Sequence, residues 1–143
     1  MIVDANVLIY AVDTSSSFHR PAREWLETAL NGPSRVGLPW QSLTAFLRLS
    51  THARISTDPL TPKEAWGFVA DWLDAEPAWI PVPTARHADV LRKLLTEGDL
   101  RGNLVTDAQL AALAIEHGVG ICSVDSDFAR FDGLEWLNPV TRH

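Results

Sequence analysis

Asp4, Asp107 and Asp125 are the residues of this chain best placed to do chemistry together, with Asp127 two positions behind the last of them. Carboxylates forced into one place repel, and each raises its neighbours' pKa. A divalent cation is the natural relief. An all-oxygen ligand set without His or Cys suits Mg²⁺, with Mn²⁺ as the alternative, rather than Zn²⁺. Such a cation can activate water, hold a phosphate oxygen and stabilise an in-line displacement, so the chemistry these side chains fit is phosphodiester hydrolysis. Singly, each acid has an ordinary use. Asp4 could cap a helix, Asp107 could complement a helix dipole, and Asp125 and Asp127 could shape a turn. Only their joint placement carries the functional reading.

That placement follows from the elements around them. Met1 to Val3 reads as a short strand ending at Asp4, and Gly120 to Val124 as a later strand ending at Asp125. Parallel strands would put both acids on one sheet edge. Asn103 to His117 is the most helical stretch, stopped by Gly118, and Asp107 lies in its first turns. A right-handed crossover returns that helix toward the amino end of the next strand, which leaves its own start, and Asp107, at the carboxyl edge. Ligands of open parallel sheets gather at that edge.

The remaining pattern alternates strands and helices. Helices are expected over Val7–Val12, Phe18–Leu30, Gln41–Ala53, a segment from Pro62 to about Ala75, and Thr84 to Leu95 or Thr96, with Gly98 beyond the last. Thr61-Pro62-Lys63-Glu64 carries a capping signal: a Thr cap, Pro at the first position and Glu at the third. Further strands are expected at Val36–Trp40, at Trp79–Val82 near an edge because of Pro81, and at Glu135–Asn138. The predicted class is α/β: a three-layer α/β/α domain with a mainly parallel sheet of four or five strands, spanning residues 1–143 as one domain.

Composition sets outer bounds. A chain of 143 residues, 46% hydrophobic and 21% charged, can bury a sizeable core. Its start has no basic segment followed by an apolar one, and no apolar run approaches the ~20 residues of a membrane span, so the expected location is the cytoplasm. The single Cys122 excludes an internal disulfide and reads as strand packing. A net charge of −6 lacks the basic signature of a general nucleic-acid binder, and fits an acidic cleft that receives a basic partner.

Several side chains could support the acids. Asn6 could orient a ligand or the attacking water, or satisfy turn backbone; Thr106 and Ser123 could touch water at the site, or serve as plain caps. Among the arginines, Arg101 and Arg130 lie nearest the acidic motifs and are the candidates for phosphate contacts. The histidines, His19, His52, His87, His117 and His143, show no metal-ligand spacing and read as surface or interface residues. Trp25, Trp66 and Trp72 fall on helical faces and read as core or subunit contacts.

Three segments, in order, resemble the PIN-domain family. Asp4-Ala5-Asn6-Val7-Leu8-Ile9-Tyr10 is similar to its opening; Gly102 to Ala114, with Asp107 inside, resembles its third acidic motif; Ser123-Val124-Asp125-Ser126-Asp127-Phe128, followed by Arg130 and Phe131, resembles its closing motif. The resemblance implies a VapC-like toxin: a Mg²⁺-dependent endoribonuclease, usually dimeric, that cuts RNA and is held inactive by a VapB-like antitoxin. Asp4 and Asp107 would be metal-binding acids, Asp125 the last acid of the pattern, and Asp127 either an extra ligand or a group that acts through metal-bound water. The family usually has a Glu early in the helix after the second strand, whereas this chain has Phe46 there, a core residue by its spacing from Leu43 and Leu47. Ser42, one turn back, or Asp127 would then have to fill the gap through water. Two rivals stand beside this reading: a PIN-like module that binds RNA or protein without cutting, and a phosphatase of the haloacid-dehalogenase type, whose opening Asp4-Ala5-Asn6-Val7 resembles less fully.

Overall fold

The computed structural model describes residues 1–141; His143 lies outside them. Five strands of two residues each form one parallel sheet: β1 (Ile2–Val3), β2 (Val36–Gly37), β3 (Ala78–Trp79), β4 (Ile121–Cys122) and β5 (Trp136–Leu137), in the order β3-β2-β1-β4-β5. Helices α1 (Ala5–Val12), α2 (His19–Leu30), α3 (Trp40–Ser50), α4 (Pro62–Asp74), α5 (His87–Gly98) and α6 (Leu104–His117) cover its faces, and a 3₁₀ turn spans Ser126–Arg130. This is the three-layer α/β/α arrangement expected from the alternating pattern. No helix among the described residues is long and apolar enough to cross a membrane.

Because strand side chains alternate in direction, neighbouring residues feed opposite cores. Val3 and Cys122 pack with α1, α2, α3 and α4 around Leu8, Leu26, Leu43, Phe46 and Val69. Ile2 and Ile121 pack on the other face with Leu110, Leu113, Phe128 and Phe131. Burying such side chains contributes about 1.5–3 kcal/mol each, so two-residue strands can hold position through their helices.

The strands are shorter than the apolar runs suggested. Pro39 is the N-cap of α3, so Trp40 already belongs to that helix. β3 lies at the sheet edge, as Pro81 indicated. Around α4 the capping box forms: Glu64 N donates to Thr61 Oγ1 at 3.1 Å and Thr61 N donates to Glu64 Oε1 at 2.9 Å.

The α5 boundaries differ from expectation at both ends. Thr84 belongs to a turn before the helix, because its N–H and hydroxyl both donate to Glu116 Oε1, at 2.8 and 2.7 Å. At the far end Gly98 is still helical, and Asp99 takes the left-handed conformation, φ 48°, that closes it. Glu116 is buried, and His87 Nδ1 bonds its other oxygen, Oε2. His87 is therefore a partner of an interior acid and not a plain surface residue. Burial raises the Glu116 pKa, but the bonds from His87 and Thr84 outweigh it and hold the group below its ordinary 4.5. A depressed carboxylate stabilises the fold above its unfolded pKa and loses that contribution as pH falls through the folded value. Glu116→Ala strands the Thr84 N–H and the His87 ring, and is expected to cost about 1–3 kcal/mol by urea unfolding at pH 7, the deficit shrinking in acid.

Candidate metal centre

β1 pairs with β2 on one side and with β4 on the other, so the chain leaves the central strand in one direction and later returns to its opposite flank. A crevice opens at such a switch point beyond the carboxyl ends of the strands. Asp4 follows β1, Ser123 and Asp125 follow β4, and Asp107 sits in the first turn of α6.

Asp4 is held firmly. Its Oδ1 caps α1 by accepting from Ala5 N at 2.8 Å, and its Oδ2 accepts from Ser123 Oγ at 2.7 Å and Asn6 Nδ2 at 3.2 Å. Ser123 Oγ also accepts from Asp125 N at 3.0 Å and from Asn6 Nδ2 at 3.1 Å, while Asn6 Oδ1 accepts from Val124 N at 3.3 Å. Asn6 and Ser123 thus stitch the ends of the two strands together. Burial raises the Asp4 pKa against the lowering effect of Ser123 and Ala5, and Asp125 adds repulsion.

One carboxylate oxygen from each of Asp107, Asp125 and Asp127 lies within 4.8 Å of the others, and all three residues are half-buried. Asp125 Oδ1 also accepts from Asp127 N at 2.9 Å, capping the 3₁₀ turn. Asp107 is pushed up to about 6, first by burial and then by the charges of Asp125, Asp4 and Asp127, with Arg130 pulling the other way. Asp4 therefore stands beside the trio and acts on it through its charge. Arg130 touches the cluster: its Nε donates to Asp127 O at 3.2 Å and its Nη2 to Asp127 Oδ1 at 3.3 Å.

The other candidates divide. Thr106 donates its hydroxyl to Asn103 O at 2.9 Å, an ordinary bond back to the carbonyl three residues earlier. Arg101 is exposed and its guanidinium is paired with Asp99 at 3.0 Å, so the acids do not hold it. Ser42 is buried in the first turn of α3, and among the described residues its hydroxyl has no hydrogen-bond partner. Phe46 is fully buried, 4.8 Å between ring centres from Trp72 and edge-on to Phe68, so α3 brings no carboxylate to the crevice. Trp72 is core, whereas Trp66 is half exposed and stacks on Trp40. Sequence reasoning missed Gln41, whose Nε2 donates to Thr106 O at 3.4 Å and ties the start of α3 to that of α6. Its place directly after the apolar run Val36–Trp40 was the available signal.

Four acids against one touching arginine leave the crevice under-neutralised, and the donors are all hard oxygens. That set fits Mg²⁺ or Mn²⁺. A folded-state carboxylate pKa raised above the unfolded value means the native protein binds more protons, so stability falls as pH rises between the two. The metal-free protein should accordingly lose melting temperature between about pH 4 and about pH 6, as Asp107 ionises. Millimolar Mg²⁺ is expected to restore the loss; a melting temperature indifferent to both would contradict a shared cation site.

The sequence model of the PIN domain matches residues 1–134. Over 138 residues, 96% of each chain, the protein is 51% identical to ribonuclease VapC37 of Mycobacterium tuberculosis, and it is 39% identical to ribonuclease VapC33 of the same organism over 98% of both. Its fold is shared with VapC20 of Mycobacterium tuberculosis, a toxin cleaving the sarcin–ricin loop, at a TM-score of 0.67 and 18% identity, covering 94% of this chain and 95% of that one. VapBC2 of Rickettsia felis, bound to a promoter DNA fragment, gives 0.65 at 16% identity over 96% of both chains.

Proposed function

The chain belongs to the PIN-domain family, in its VapC branch, and on that footing we propose that it is a Mg²⁺-dependent endoribonuclease, the toxin of a toxin–antitoxin pair. The observation that carries the reading is the meeting of three carboxylate oxygens within 4.8 Å of one another at the switch point, from residues up to 20 positions apart. Asp107, Asp125 and Asp127 would hold the cation, with Asp4 alongside. Bound there, Mg²⁺, or Mn²⁺ in its place, would supply positive charge to a scissile phosphate and make water a competent nucleophile near neutral pH.

The chain's own groups do the rest. Asn6 and Ser123 fix the Asp4 carboxylate, so its negative field enters the crevice without rearrangement. Arg130, bonded to Asp127, can reach a phosphate while relieving part of the repulsion. Burial and the neighbouring acids raise Asp107 to about 6 in the metal-free protein, a repulsion that a bound cation would relieve, so the loaded site would present it as a carboxylate ligand. A VapB-like antitoxin, self-association into a homodimer and a cytoplasmic location complete the proposal, supported by the family.

Phe46, in the place of an expected acid, favours one second reading: a domain that binds RNA without cutting it. One experiment separates the two. Purified protein is incubated with total RNA in Mg²⁺, Mn²⁺ or EDTA, and fragment ends are mapped. Discrete ends that appear with either metal and vanish in EDTA support the nuclease. Retention of RNA on the protein with no new ends under any condition supports the binding module instead.

A further inference from the structure

A groove of about 1040 Å³ runs between α5 and the segment after the 3₁₀ turn. Arg86, Arg92, Lys93 and Arg130 line it, four of the chain's 12 Lys and Arg in a protein of net charge −6. Among the described residues, three of these cations, Arg86, Arg92 and Lys93, are also uncommitted. Asp89 stands four residues before Lys93, and Glu97 four after it, the spacing at which helical ion pairs form. Yet among the described residues no ion pair involves Arg86, Arg92 or Lys93, whereas on α2 both Arg20–Glu24 and Arg23–Glu27 close at 2.9 and 2.8 Å. Arg130 belongs to both places: it lines the groove and bonds Asp127 in the acidic crevice. The groove is therefore continuous with the crevice through one side chain.

Resting on the ribonuclease reading above, we infer that this groove carries the phosphodiester backbone of single-stranded RNA on one side of the bond that is cut. A strand whose scissile phosphate lies over Asp107, Asp125 and Asp127 passes Arg130 next. It then meets Arg92 and Lys93 along α5, a helix about 18 Å long at 1.5 Å per residue. The acids Asp89, Glu97 and Asp132 on the groove walls keep the field moderate and space the cations as discrete phosphate contacts. This resolves the apparent conflict between an acidic protein and a polyanionic substrate: attraction is local to one channel.

The test compares the intact protein with Arg92→Gln/Lys93→Gln, and with Arg20→Gln/Arg23→Gln as a control of equal charge change on α2. The probe for binding is a 2′-O-methyl oligoribonucleotide, single-stranded and uncleavable; the probe for chemistry is bis-p-nitrophenyl phosphate. Two lost phosphate contacts on a single strand remove about 1.4 from the slope of log K against log salt and weaken binding about 25-fold at 0.1 M salt. Hydrolysis of the small diester should stay within twofold of the parent, and the α2 control should match the parent in both. Parent-like affinity and salt slope in Arg92→Gln/Lys93→Gln overturn the groove, even where the parent cuts RNA normally. Loss of self-association or of a co-purifying protein with RNA affinity intact also overturns it, making the groove a protein interface. A parent that cleaves neither RNA nor the small diester with Mg²⁺ or Mn²⁺ sinks the ribonuclease reading itself, which is a separate result.

Discussion

Asp107→Asn is expected to cut RNA at least ~10³-fold more slowly at saturating Mg²⁺, about 4 kcal/mol of barrier, while the metal-free protein becomes harder to unfold at pH 7. The two effects share a cause. Asp107 is held near 6 by burial and by Asp125, Asp4 and Asp127, so at neutral pH its charge strains the folded state. The amide is nearly the same size and removes that strain, but it contributes no negative charge toward a cation. Asp4→Asn should be similarly inactive. It gains less stability, because Asp4 already receives three hydrogen bonds and its replacement weakens the bond from Ser123. Single-turnover cleavage with denaturant titration on the same preparation checks both halves. Parent-rate cleavage by Asp107→Asn would end the metal-centre assignment.

Phe46→Ala is expected to destabilise the protein by about 3–5 kcal/mol, a large part of a domain's total. The ring is fully buried between α3 and α4 and makes edge-on contacts with Phe68 and Trp72, so truncation leaves a cavity the helices cannot close. Phe46→Glu should be worse, and it should not raise activity. A carboxylate there has aromatic rings for neighbours and no cation to pair with, and an unpaired buried charge costs several kcal/mol. Guanidinium unfolding measures the first variant. Cleavage by the soluble fraction of the second tests the site: an increase over the parent would mean that position 46 faces the crevice.

The class and the site's location were legible because they depend on spacing. Gly118 ends α6 where the pattern stopped, Thr61 and Glu64 cap α4 as a pair, and Asp4 and Asp125 follow two central strands. What escaped were bonds between residues far apart in the chain. Nothing near Glu116 announces that it reaches back to Thr84 and His87, and that contact moved the start of α5 by three residues. Asp127 looked like the least of the four acids because loops after strands are rich in Asp. The 3₁₀ turn that follows Asp125 is what swings its oxygen to within 4.8 Å of Asp107 and Asp125. Strand lengths were overestimated because the chain turns away just past each two-residue strand: Leu38 N makes a last bond to Trp79 O at 2.7 Å, and Pro39, which has no N–H, then caps α3.

Asp4 is fixed by a hydroxyl 119 positions later, and β1 finds its place only against β4. During synthesis Asp4 is made long before Ser123, Asp125 and Asp127 exist to meet it. A product truncated before Ser123 lacks Asp125, Asp127 and the bond that fixes Asp4, and a slip of one position between β1 and β4 would swap the occupants of the two interiors. The complete acidic cluster therefore cannot exist on a nascent chain until Asp127 has been made.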